Sequence, residues 1–148
     1  MSDKGVMLEA LVIRPTLAAL GVTSRYACQL LLGTALSETG LRPRRGARLG
    51  LYGITPAQHR QVWDCFLAFQ PALASRVRSL ASRESFLRDP DQELVTNPAY
   101  ATAIAWLVYQ SGTAELPAAP DSRELVTLWA RYFHRGKAVP WRTPALSS

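Results

Sequence analysis

Between Val6 and Leu20 the apolar positions Leu8, Leu11, Val12, Leu17 and Leu20 recur at helical spacing. Pro15 interrupts them because it has no amide hydrogen and restricts Arg14 before it, so the pattern predicts two short helices meeting near Arg14. Gly21 suits a helix end, and Thr23 or Ser24 can cap the next helix, whose run RYACQLLLGTALSE is apolar on most sides. Such a helix has to be buried, and it is the predicted centre of the domain. Gly40 supplies its stop.

No helical period runs through LRPRRGARLGLYGI, which reads as a loop or a small irregular hairpin. Thr55 and Pro56 form a cap followed by a first helical position, after which Val62, Cys65, Phe66 and Phe69 mark one face. Pro71 begins another helix with Leu73, Val77 and Leu80 inward. A short piece from Glu84 to Arg88 ends before a turn at Asp89-Pro90. Asn97-Pro98 repeats the cap-then-proline signal and opens AYATAIAWLVYQ, which Gly112 closes. A loop to Pro120 follows, then Asp121 and Glu124 at capping-box spacing, then a last helix with Leu125, Leu128, Trp129 and Phe133 inward. The expected fold is mainly α: one domain of about six to eight helices, residues 1–148, with its core over about 6–136 and an irregular tail over 137–148.

Composition supports one packed core: 48% of the 148 residues are hydrophobic and 19% charged. The net charge of +6 favours anionic partners, whether nucleic acid, anionic glycan or acidic protein, and only the stretch Arg42 to Arg48 is densely basic. Nucleic acid is not the expected partner, because that stretch lacks interleaved aromatics and a recognisable binding motif. Cys28 and Cys65 lie in apolar helical patterns and read as free, small hydrophobes. Neither a signal-peptide pattern nor an apolar run long enough for a membrane span is expected.

Several chemistries lack their residues. His59 and His134 are isolated, and there is no HExxH or CxxC spacing, no GxSxG elbow and no phosphate-binding glycine loop. No metal or cofactor is therefore expected. Glu38 stands out among the carboxylates because it ends the most apolar helix. Apolar surroundings and the negative helix end favour its protonated form, and nearby guanidinium groups its charged form. A general acid and a capping or salt-bridging carboxylate both fit.

Ser37-Glu38-Thr39-Gly40, Gly50-Leu51-Tyr52-Gly53-Ile54-Thr55-Pro56, Asn97-Pro98 and Tyr132-Phe133-His134-Arg135-Gly136 occur in an order and spacing that resembles the lysozyme-like lytic transglycosylases. More closely, RPTLAALG, LLLGTALSETGL, LGLYGITPAQHRQVW and LVTNPAYATAIAW are similar to a group of small bacteriophage proteins, over about Arg14 to Gly136. The resemblance implies that Glu38 is the single catalytic acid and base on peptidoglycan glycan strands. The sugar's own hydroxyl would attack, so no second carboxylate is required, and Leu41 to Gln61 holds none.

By the same resemblance Tyr52, Gly53, Ile54 and Thr55 line the substrate cleft, with Tyr52 facing the sugar and Thr55 also suited to an N-cap. Tyr109 is a candidate stacking ring, Tyr132 can offer a hydroxyl, and Arg42 and Arg45 can hold the carboxylates of peptidoglycan. Trp106 and Trp129 read as core, and His59 as a solvated surface side chain. The turn departs from the family at Gly53, where a side-chain amide is usual, and Phe133 follows Tyr132 where the family often has Asn. The implied setting is a bacteriophage virion, as a tail or internal protein made in the host cytoplasm and acting at the host cell wall, with other virion proteins as possible partners. The alternative is an inactive virion structural protein that keeps the fold.

Overall fold

The computed structural model describes residues 3–112, 116–117 and 119–144. Parts of the loop expected between Gly112 and Pro120, and Ser147-Ser148 in the tail, lie outside the described residues. The chain is mainly α, in the order α1 (Asp3–Leu8), α2 (Arg14–Ala19), α3 (Arg25–Thr39), α4 (Pro56–Cys65), α5 (Pro71–Leu80), α6 (Arg83–Arg88), α7 (Pro90–Thr96), α8 (Pro98–Gly112) and α9 (Ser122–Leu128). Among the described residues, no helix is long and apolar enough to cross a membrane.

The predicted caps are where local chemistry put them. Ser24 Oγ accepts from the Tyr26 and Ala27 amides at 3.1 and 3.4 Å and starts α3, and Gly40 ends it with φ 63°. Thr55 and Gln58 form a reciprocal capping box on α4, and Asp121 and Glu124 form one on α9. Asn97 Oδ1 accepts from the Tyr100 amide at 3.0 Å and begins α8.

The centre of the domain is shared. Helix α3 buries Ala27, Leu30, Leu31, Leu32 and Ala35, but α8 buries every residue from Tyr100 to Tyr109 and packs against helices on several sides. Its alanines allow that close approach.

Three local expectations are corrected. No break separates the first two helices: α1 runs through a π-helical turn, Glu9–Ile13, into α2. Pro15 cannot donate and would crowd a carbonyl in a regular α-turn, and the wider turn just before it relieves that conflict. Cys65 and Phe69 do not share the inward face of Val62; Phe69 is 78% exposed. Helix α4 stops at Cys65 and the chain tightens into a 3-10 turn, Leu67–Phe69, which turns Leu67 inward and Phe69 out. Asp89-Pro90 starts α7, since proline is tolerated in a first helical turn.

The basic segment forms the small irregular hairpin. Arg44 and Gly50 exchange backbone hydrogen bonds of 2.9 and 2.7 Å, and Leu49 and Ile54 exchange bonds of 2.8 and 3.0 Å. The hairpin is fastened at two points. Thr39 Oγ1, at the end of α3, donates to the Leu51 carbonyl at 2.6 Å. Gly50 (φ 75°) lies on the Leu94 carbonyl of α7, where any Cβ would overlap it. These contacts bring the turn against the last residues of α3.

Candidate functional site

Glu38 sits one residue before the end of α3, where the hairpin and the last helical segment converge. Its side chain is only 3% exposed. Oε1 faces Arg48 Nη1 at 3.4 Å, while Oε2 accepts from the Trp129 indole N–H at 2.9 Å and meets His134 Nδ1 at 2.8 Å. Both oxygens are engaged, by one residue from the hairpin and two from the C-terminal segment.

Trp129 and His134 reach the same oxygen because α9 ends in a second π-helical turn, Trp129–Phe133. The His134 amide donates to the Trp129 carbonyl at 2.8 Å across five residues, which aligns side chains that an α-turn would splay apart. The two rings lie 4.7 Å apart between centroids.

Both ring nitrogens of His134 are held, Nδ1 by Glu38 Oε2 and Nε2 by the Lys137 carbonyl at 2.7 Å, so the ring is fixed in orientation between the acid and the tail. Arg48 completes the enclosure: its guanidinium also lies on the Gly136 backbone, where a Cβ would overlap it.

Of the residues expected around Glu38, Gly53 is the one beside it. Gly53 has φ 61°, a left-handed conformation that favours glycine, and a Cβ there would stand 3.7 Å from Glu38 Cβ. Thr55 serves as the α4 cap. Tyr52 does not face a cleft: it is fully buried, with its hydroxyl 2.8 Å from Thr102 Oγ1. The fastening at Gly50 and Leu51 holds that ring in the core, where its neighbours Leu51 and Ile54 are buried as well. Tyr109 is no stacking platform either, since its hydroxyl meets Thr34 Oγ1 at 2.7 Å and its ring stacks on Phe133. Burial pushes the phenols of both Tyr52 and Tyr109 up, so neither supplies a proton near neutral pH.

Tyr132 lies with its ring against Gly112 and lines a cavity of about 110 Å3 with Gln58, Arg131 and Arg135. Arg42, just before the paired Arg44, and Arg45, in the loop that pair closes, are exposed, and it is Arg48 that reaches Glu38. Trp106 and Trp129 are buried as expected. His59 is not a surface side chain: it is 2% exposed, with Nδ1 2.7 Å from Asp91 Oδ1 and Nε2 2.7 Å from the Tyr100 hydroxyl.

Sequence reasoning did not gather Arg48, Trp129 and His134 around the acid. The signal was the five-residue spacing of Trp129 and His134, which a 3.6-residue period assigns to different faces. Compared with protein-family models, curated proteins and solved structures, the chain has no match.

Proposed function

We propose that this chain is a lysozyme-like domain that cuts peptidoglycan glycan strands, with Glu38 as its single acid and base, borne on a bacteriophage particle to the host wall. The observation that carries the reading is the 2.8 Å contact between Glu38 Oε2 and His134 Nδ1, which sets a carboxyl group against an imidazole, a pair able to exchange a proton, at the end of a buried helix. The sequence resemblance supplies the substrate and the setting. In the proposed reaction the Glu38 carboxyl gives its proton to the glycosidic oxygen and the bond to the anomeric carbon breaks. The carboxylate then takes a proton from the sugar's own hydroxyl as that oxygen closes on the anomeric carbon, leaving an anhydro sugar and a regenerated acid. His134 is the local proton store, and the Trp129 N–H holds Oε2 in place.

A second reading, a virion structural protein in which Glu38 pins three elements together, is favoured by the 3% exposure of that side chain. The two diverge in one assay. Purified protein is expected to clear a peptidoglycan suspension and release anhydro-muropeptides, with Glu38→Gln lowering the rate at least 100-fold, the order a general acid contributes. Equal inertness of both proteins on several wall types would leave the structural reading in place.

A further inference from the structure

Past His134 the chain lies along α3, from the Lys137 carbonyl at His134 to Trp141 and Pro144 at Gly33. The Trp141 ring rests on Gly33, where a Cβ would overlap it, and lies 5.5 Å from the Trp129 ring between centroids. Pro144 is buried against the same glycine. Farther along α3 the Arg142 amide donates to Ser37 Oγ at 2.8 Å and its guanidinium to the Leu36 carbonyl at 3.4 Å. A glycine in the middle of a buried helix weakens that helix, and here the ring explains it.

We propose that Trp141 occupies a sugar-ring slot beside Glu38, so that residues 137–144 act as an internal competitor of the glycan. The slot has a floor without a side chain at Gly33 and an aromatic wall at Trp129. Trp129 joins that wall to the candidate acid, because its N–H is bonded to Glu38 Oε2. Those features suit a pyranose, which offers a flat C–H face to an aromatic ring and an oxygen to an acid. The tail also closes the acid by a second route, since the Lys137 carbonyl holds His134.

The tail's hold is incomplete. The Trp141 indole N–H is buried with no hydrogen-bond partner among the described residues, and a buried unpaired donor favours release. Arg142, which makes both polar contacts to α3, is itself exposed.

The nature of the ligand rests on the glycan-cleaving reading; the displacement of the tail does not. The test uses full-length protein, tetra-N-acetylchitotetraose as the probe in calorimetry, peptidoglycan clearing, and circular dichroism to verify folding. Trp141→Ala empties the slot, and Gly33→Ala forces the ring out by overlap. Each is expected to bind the probe roughly tenfold tighter than wild type, as follows if the tail closes the slot about nine-tenths of the time. The double variant should bind no tighter than Trp141→Ala, because the overlap needs the ring.

Folded Trp141→Ala that binds no better than wild type overturns the proposal. So does loss of fold in both single variants, which would make Trp141 a core residue. If only Trp141→Ala misfolds, Gly33→Ala decides alone. Tighter binding without cleavage by any variant keeps the tail inference and removes the cleaving reading, whereas equal binding with wild-type cleavage does the reverse.

Discussion

Tyr52 lies on the turn that approaches Glu38, yet its hydroxyl is spent inside the core on Thr102. Tyr52→Phe should therefore cost about 1 kcal/mol of stability, the ordinary worth of one internal hydrogen bond, measured by urea denaturation. Probe binding should not change; a several-fold loss would return Tyr52 to the cleft. His59 carries a pH dependence. Burial lowers its pKa below the usual value of about 6.5, outweighing the Asp91 contact that raises it. The unfolded chain thus binds the proton at a pH where the folded chain does not, and stability falls as the medium becomes more acid. The contribution is fully present above about pH 6.5 and is lost as pH drops through the lowered folded value. Urea midpoints taken between about pH 7.5 and 5.5 should decline in wild type and decline less in His59→Gln; parallel slopes would show that another group governs the window.

Helix ends were legible because each rests on residues near in sequence: a hydroxyl or carboxylate over free amides, a proline in a first turn, a glycine at positive φ. What was not legible is where the period changes. The turns Glu9–Ile13 and Trp129–Phe133 each spend one extra residue; the first lies just before Pro15, whereas the second has a tertiary setting, placing two rings on an acid 91 and 96 residues away in the chain. The basic segment was readable as a hairpin, but the side chain it would aim at Glu38 was not, because that depends on Gly50 docking on α7. Hence the arginine that reaches the acid is Arg48, which was not singled out, while Arg42 and Arg45, expected to hold substrate carboxylates, stay exposed. Docking makes its own prediction. Gly50→Ala puts a non-glycine residue at φ 75° and a methyl group into the Leu94 carbonyl. Strain of this kind costs about 1–3 kcal/mol before any clash, so the variant should lose at least about 2 kcal/mol in denaturant unfolding. Since the hairpin also carries Arg48 and Gly53, the environment of Glu38 should shift, visible as a changed Trp129 indole N–H resonance. An unaltered resonance would mean that the hairpin holds its place without α7.

Charge acts on the whole molecule. Seventeen cationic residues against eleven anionic ones leave the chain at +6, and part of that excess, Arg42, Arg44 and Arg45, stands exposed on one hairpin. That hairpin ends at Gly53 beside Glu38, so a polyanion drawn to its tip arrives next to the acid. Exposed charges are individually weak, worth well under 1 kcal/mol each, and strongly screened. Three together suffice for about a tenfold change in adsorption at low salt, which equals about 1.4 kcal/mol. The triple substitution of Arg42, Arg44 and Arg45 by alanine should thus reduce adsorption to anionic cell walls about tenfold in dilute buffer. The difference should vanish near 1 M salt, where the Debye length is about 3 Å. Thermal stability should stay within about 0.5 kcal/mol, because none of the three side chains is buried. A deficit that persists in high salt would point to specific contacts instead of a diffuse field. Unchanged adsorption in dilute buffer would remove the hairpin from the proposed wall-binding role.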